Sequence, residues 1–483
     1  VSARTAPTFP RLARGYEYVE GWGMAHGAHA RVLRPKDVDG IREAFALARR
    51  EGVTIAPRGT GNSYGDANVT SSGFVLETTR LDRILDFDEG SGVATCEGGV
   101  TIEQLWKHAI PRGFWPKVVS GTMYPTLGGA LAMNIHGKNQ YAVGTIGEHV
   151  REFDVVLPTG DLVTASRERE SDLFHAAIGG FGMLGIVTRV VIATKKVHSG
   201  DLLVTAKSTK DLRETMDWME SRRSKFGYLV AWIDAFGQGE GLGRGLIHAA
   251  RDLAPGEDAD PSKTLSVQHQ ELPRAILGIS KGEVWRALRL FNHDAGMRLV
   301  NATKWTLGQH EEALGPKRQS HAAFAFLLDY VPNWKWAYGR TEKRGLIQVQ
   351  PFVPAARAHD VFAAILEASR RARLVPYLAV LKRHKPDPFW LTHGLDGWSL
   401  ALDYKVDPAT RARLWKLAAE ITRLTLDAGG KFYPAKDLVI RREDARRMWP
   451  ADKLEAFLAL KRRVDPTNLL RTDQSRRILD LGA

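Results

Sequence analysis

Apolar residues recur at helical spacing between positions 38 and 51 and predict an amphipathic helix, with Asp37 as N-cap and Gly52 as stop. The run VTIAP (53–57) then reads as a buried strand, and a glycine-rich loop follows it. Segments 73–79 (GFVLETT) and 92–99 (GVATCEGG) read as further strands. Thr101 and Gln104 have capping-box spacing and open a helix that runs to about Ile110. Positions 149–166 read as strand, Thr-Gly-Asp turn and strand, and the β-branched run 185–194 closes this half.

After Lys195 and Lys196 the character changes. Residues 200–430 carry most of the tryptophans and longer connections. The stretch 252–320 reads as loop-rich, with one helical pattern over 283–300, EVWRALRLFNHDAGMRLV. From about 430 glycine and lysine return, and a charged helix is expected near 451–463, before VDPTNLL. No tandem repeat or low-complexity segment is present.

A chain of 483 residues is too long for one ordinary core and points to two or three domains. Its longest clean apolar run, Ala322 to Leu328, falls far short of the roughly 20 residues that cross a bilayer. The opening VSARTAPTFPRLARG lacks a signal-peptide core, and a chain that starts with Val is expected to have lost something upstream. Cys96 is the sole cysteine, so no intrachain disulfide forms, which fits a reducing compartment; zinc-ligand spacing is absent as well.

The formal charge of +13 favours acidic partners. The basic residues are scattered, in Arg222-Arg223, Lys343-Arg344, Lys382 to Lys385 and Lys461 to Arg463, and read mostly as solvated faces. No helix-turn-helix, RNA-binding aromatic motif or concentrated basic stripe is present, so no nucleic-acid partner is expected.

The loop PRGTGNSYGDANV (57–69) is the first candidate site. Its spacing is G-x-G-x-x-x-G and turn formers follow it, so it lacks the helix N-terminus on which a Rossmann fingerprint sets a pyrophosphate. Gly59 and Gly61 permit a backbone nest for an anionic phosphate, yet the loop alone fits a plain surface turn equally well. Two further runs decide between these readings. VSGTMYPTLGGALAMNIHGKNQYAVGTIGEHV (119–150) and IGGFGMLGIVT (178–188) are small and apolar, unlike polar linkers. Three such runs before residue 190 suggest backbone packed on one extended cofactor.

The order PRGTGNSYGD, SGTMYPTLGGALAMNIHGKN, GGFGMLGIVT resembles the FAD-binding domain of the vanillyl-alcohol-oxidase-type (PCMH-type) flavoproteins. NIHGKN after GGA, and FYPAKD followed by VDP near the C-terminus, resemble the decaprenylphosphoryl-β-D-ribose 2′-oxidase subgroup. The resemblance covers about 50–195 and 395–475 well and 200–390 thinly. It implies an α+β fold: a two-subdomain FAD-binding domain over 1–198, a substrate domain with an antiparallel sheet over 199–428, and a segment 429–483 that returns to the FAD-binding domain. It also implies FAD as cofactor. Relatives with covalent flavin carry a histidine where this chain has Asn62, so the FAD is expected to be noncovalent.

The resemblance implies cofactor contacts from Arg58, Gly59, Thr60, Gly61, Asn62, Ser63, Tyr64, Gly121, Thr122, Gly128, Gly129, Asn134, His136, Gly137, Lys138, Gly182, Gly185, Ile186 and Lys436. Asn62 equally suits a purely turn-stabilising part. Oxidation of an alcohol on a flavin needs a base for the hydroxyl proton and donors or a cation for the reduced cofactor. Lys436 in YPAKD is the first candidate, ahead of a surface lysine paired with Asp437; His136 and Tyr64 come next. For the substrate the candidates are Trp232, Arg244, Gln348, Gln350, Lys382, Ser399 and Ala401. Gln348 and Gln350 alternate with apolar residues and share one face of a strand. Ser399 and Ala401 stand where the subgroup carries Asn and Cys, and Ala325 where it carries Tyr, which implies a related sugar or a different carrier.

The expected reaction is oxidation of the 2′-hydroxyl of a polyprenyl-phosphate-linked pentose, with an NADH-dependent ketoreductase as partner and a peripheral membrane contact; the segment 283–300 has the composition to dock there, but reads first as an ordinary amphipathic helix over the core. The corresponding location is cytoplasmic or peripheral at the inner membrane, with the envelope side left open. The alternatives are a soluble alditol or aldonolactone oxidase and a non-catalytic basic binding protein.

Overall fold

Strand pairing sorts the chain in two. Two sheets use only strands between residues 12 and 196, and a third uses only strands between 201 and 432. The computed structural model describes residues 12–276, 278–339 and 344–479, so most of the N-terminal stretch and Lys343 lie outside the described residues.

The first sheet has the order Leu12–Glu20, Gly27–Pro35, Phe74–Glu77, Ile55–Arg58, antiparallel at the first pair and parallel after it. The C-terminal segment completes its edge: the Ile55 N–H donates to the Leu469 carbonyl at 2.8 Å and the Arg471 N–H to the Ile55 carbonyl at 2.9 Å. Helix Val38–Glu51 covers this sheet, burying Ile41, Phe45 and Ala48 with Leu33 and Leu76. Its limits are those of the apolar stripe. The Asp37 side chain accepts from the Gly40 N–H, and Gly52, at φ 66°, closes the last turn.

The second sheet runs Ile84–Asp88, Val93–Glu97, Ile186–Lys196, Val150–Val156, Leu162–Ser166. The third has nine strands, with Leu378–His384 and Gly397–Val406 near its centre, and is antiparallel throughout. Helices Ala355–Arg371 and Arg411–Asp427 pack on it. The fold is α+β, with two small sheets in one part and one large antiparallel sheet in the other.

Three sequence expectations change. The stretch 252–320 is not loop-rich throughout; it contains the 21-residue helix Asp294–Leu314. The single helix read over 283–300 is two, Val284–Phe291 and Asp294–Leu314. His293, extended at φ −152°, breaks them because its ring accepts from the Gly296 N–H at 3.2 Å and caps the second helix. The basic clusters are not uniformly solvated. Arg383 is buried between Glu220 and Asp396, and Lys461 is buried on Asp465 and on the Met183 and Leu470 carbonyls. Buried cations survive because these acceptors replace water.

Candidate active site

The three small-residue runs line one cavity of about 660 Å³, a volume within the roughly 300–1,000 Å³ typical of ligand sites. The large sheet supplies another part of its wall. Along Leu378–His384 the alternate residues Leu378, Val380 and Lys382 reach it, as do Val230 and Trp232 on the neighbouring strand. Val380 pairs in register with both Trp232 and Ala401, so these three form a row across the sheet.

The loop 57–65 is braced against the second run. Thr60 Oγ1 donates to the Tyr124 carbonyl at 2.7 Å, and Asn62 Nδ2 donates to Thr60 Oγ1 at 2.7 Å. Gly61 sits at φ 78°, and a Cβ on Gly59 would lie 2.3 Å from Thr126 Oγ1. Glycine at these two places lets the backbone turn and lie against the neighbouring segment. The Arg58 guanidinium is held behind the loop by the Glu20 and Asn68 carbonyls and by Asn68 Oδ1 at 2.7 Å.

A polar cluster forms where the C-terminal segment meets this loop. The Tyr64 N–H donates to the Ala435 carbonyl at 2.8 Å, and the Lys436 Nζ stands 3.6 Å from the Tyr64 ring centroid. Asp437 does not pair with Lys436; its Oδ2 lies 2.8 Å from Arg477. Burial pushes the Lys436 ammonium down, the Asp403 carboxylate opposes this, and Lys382 adds to it. Burial likewise raises Asp403, against its hydrogen bond from Gln348. Tyr64 OH and Asp403 Oδ2 are buried and accept or donate no hydrogen bond among the described residues. Buried polar atoms of this kind point to a bound group that satisfies them.

Three buried histidines form a second cluster. His136 Nδ1 lies 3.1 Å from His393 Nε2, and the Gln350 amide donates to His136 Nε2 at 3.2 Å and to Ser399 Oγ at 3.1 Å. Ser399 Oγ lies 2.7 Å from His384 Nε2. Burial holds His136 and His384 well below the usual histidine range and His393 at about 3, so all three are neutral at pH 7. Lys138 bonds the Phe324 carbonyl, and burial lowers it to about 7; Lys382 is lowered to about 8 for the same reason.

Most of the residues singled out from the sequence lie on the cavity wall: Arg58 to Tyr64, Gly121, Thr122, Gly128, Gly129, His136, Lys138, Gly182, Gly185, Ile186, Trp232, Gln348, Gln350, Lys382, Ala401 and Lys436. Four are placed elsewhere. Arg244 is tied to Asp234 at 2.8 Å with its guanidinium over Trp305. Asn134 accepts from the Gly147 N–H and donates towards Asp387. Gly137 packs on the Val119 carbonyl, and Ser399 stands behind Gln350. Sequence reasoning missed Asp403, His384, His393, Asp329 and Lys304. His384 had a signal: it continues the alternation of 378, 380 and 382, which the charge of KRHK concealed. Asp329, which accepts from Thr122 Oγ1 and the Met123 N–H, is raised to about 6 by burial.

A family described as an FAD binding domain matches residues 29–166. Decaprenylphosphoryl-beta-D-ribose oxidase of Mycolicibacterium smegmatis is 30% identical over 468 residues, which cover 95% of this chain and 96% of that protein. The chain belongs to the vanillyl-alcohol-oxidase-type FAD flavoproteins. Shorter matches are a putative D-arabinono-1,4-lactone oxidase of Neurospora crassa, 25% identical over 50% of this chain and 41% of that protein, and cytokinin dehydrogenase 7 of Oryza sativa subsp. japonica, 32% identical over 33% of this chain and 32% of that protein.

This flavoprotein is an FAD-dependent oxidoreductase. The cavity fits the cofactor in its chemistry. Gly59 and Gly61 let the glycine-rich loop lie against Thr126 and Arg58 at the cavity wall, small residues line the other two runs, and the Tyr64 hydroxyl on that wall is an unpaired polar group among the described residues. Among the described residues no group of His, Cys, Asp or Glu is arranged to hold a metal ion, and no helix is long and apolar enough to cross a membrane.

Proposed function

We propose that this flavoprotein oxidises a secondary hydroxyl, the 2′-OH of a polyprenyl-phosphate-linked pentose, to a keto sugar. The observation that carries the reading is the convergence of Lys436, Tyr64 and Gln348, with Asp403 behind Gln348, on a cavity whose wall is otherwise large and mostly apolar. The full-length likeness to a decaprenylphosphoryl-ribose oxidase supports it. In this reading residues 1–198 and 429–483 form the FAD-binding domain and 199–428 the substrate domain.

FAD, when bound, accepts the hydride from the carbinol carbon. The chain does the rest. Lys436, its pKa lowered by burial, takes the hydroxyl proton at Nζ. Gln348 and Gln350 hold sugar hydroxyls, and their own partners Asp403, Ser399 and His136 fix the amides. Trp22, its ring tilted against that of Tyr64 at 4.6 Å between centroids, helps to exclude water. Asn62 makes no covalent link to flavin, so the FAD is held noncovalently by the loop 58–64 and the runs near 121–138 and 182–186.

The product ketone is the substrate of a separate NADH-dependent reductase, so that the pair epimerises the sugar for the cell envelope. The charge of +13 suits peripheral contact with an anionic membrane surface. A soluble alditol or aldonolactone oxidase is the competing reading. Farnesylphosphoryl-β-D-ribose and free ribitol separate the two. Flavin bleaching by the first under anaerobic conditions, and not by the second, is the expected result; the reverse would overturn the proposal.

A further inference from the structure

Part of the cavity wall comes from two helices outside the small-residue runs. Leu288 and Phe291 of Val284–Phe291, and Met297, Val300, Asn301 and Lys304 of Asp294–Leu314, line it. The last four have i, i+3, i+4, i+7 spacing and share one helix face.

Lys304 is the cation on that face. Its side chain is open to the cavity, and Nζ sits 4.8 Å from the Trp232 ring centroid. Beyond that ring it has no hydrogen bond or ion pair among the described residues. The nearby acids are already committed. Asp234 is held by Arg244 at 2.8 Å and Asn301 at 3.0 Å, Glu311 by Lys317 at 2.7 Å, and Glu312 by Lys207 at 2.7 Å. Burial lowers Lys304 only to about 8, so it stays mostly protonated at pH 7. An ammonium without an acid, beside Leu288, Phe291, Met297 and Val300, suits a ligand in which one anionic group is joined to hydrocarbon.

We propose that Lys304 binds the phosphate of the polyprenyl-phosphate-linked substrate and that Leu288, Phe291, Met297 and Val300 hold the first part of its prenyl chain. This rests on the lipid-linked reading given above. A phosphodiester carries one negative charge, which one lysine neutralises, and the Trp232 ring keeps the ammonium in place by a cation–π contact. Lys304 so placed fixes the distance from phosphate to sugar and selects a phosphorylated substrate over a free polyol.

The test is binding to the FAD-loaded enzyme, followed by tryptophan emission, with farnesyl phosphate, farnesol and inorganic phosphate as probes. Lys304→Gln is expected to weaken farnesyl phosphate by about tenfold or more while farnesol binding stays unchanged. Lys304→Arg is expected to retain most of the affinity, and Val300→Gln to weaken farnesyl phosphate and farnesol together. Unchanged flavin content and thermal midpoint show that each variant folds. Farnesyl phosphate bound equally by wild type and Lys304→Gln would overturn the proposal. Inorganic phosphate that displaces farnesyl phosphate at similar concentration would overturn the lipid half and leave a soluble-anion site. Because binding is read without turnover, an enzyme that binds farnesyl phosphate through Lys304 yet oxidises no lipid-linked pentose sinks the proposed function alone. Turnover of that pentose with a KM insensitive to Lys304→Gln sinks the Lys304 assignment alone.

Discussion

The Lys436 ammonium stands over the ring of Tyr64, 3.6 Å from its centroid, because the Tyr64 N–H is bonded to the carbonyl of the residue just before that lysine. One backbone hydrogen bond thus joins residues more than 370 positions apart and sets a cation beside the glycine-rich loop. With Lys436 as proton acceptor, Lys436→Met is expected to lower kcat by about 10²–10⁴-fold. Flavin content should stay near one per chain. Stopped-flow flavin reduction checks this, and a reduction rate within twofold of wild type would remove Lys436 from that role.

Asp403 sets the pH at which Lys436 works. Its negative charge raises the lysine's pKa, against the larger lowering by burial. Asp403→Asn removes that charge and keeps the acceptor for Gln348. The neutral, proton-accepting form of Lys436 is then reached at lower pH. The acid limb of the kcat/KM profile should therefore move to lower pH; an unmoved or upward-shifted limb contradicts the assignment.

The buried histidines make stability depend on acid. His393 is held at about 3 when folded, against about 6.5 in an unfolded chain. Below pH 6.5 the unfolded chain takes a proton that the folded chain refuses, so stability is full above that pH and falls between 6.5 and about 3. At pH 5 this amounts to about 2 kcal/mol for His393 alone. His393→Phe should show a shallower fall in urea-unfolding free energy between pH 7 and 5 than the wild type. Equal slopes would mean that the imidazole is solvated or already charged.

The loop glycines should show themselves in cofactor retention. A Cβ at Gly59 would lie 2.3 Å from Thr126 Oγ1, so Gly59→Ala must push apart the loop and the second small-residue run. The expected cost is about 1–3 kcal/mol of stability, with FAD lost on gel filtration. Retention of FAD at wild-type affinity would show that the two segments separate without consequence.

Noncovalent attachment has a direct readout. Acid precipitation of the purified protein should leave all flavin absorbance in the supernatant. Flavin in the pellet would mean a covalent link at a residue other than Asn62 and would favour the alditol-oxidase reading.

The sequence by itself determined the local elements and the cofactor class. The helix Val38–Glu51, the capping box at Thr101 and Gln104, and the strand pair Val150–Val156 with Leu162–Ser166 all follow from short-range period, capping and turn chemistry. The small-residue runs around Gly59, Gly128 and Gly182 were visible because backbone that forms the wall of a cavity excludes bulky side chains along whole segments. Tertiary structure alone decided which polar residues meet. Arg244 was drawn from the cavity by Asp234, a partner ten residues away whose reach depends on a strand pairing. Lys382 reaches the cavity, His384 on the same face joins the histidine cluster behind it, and Arg383 faces away, because a central strand alternates its faces, whereas a run of four basic residues reads as solvated surface. His393 and Asp403 acquire their character from burial, and burial is a property of the packed sheet rather than of neighbours in the chain.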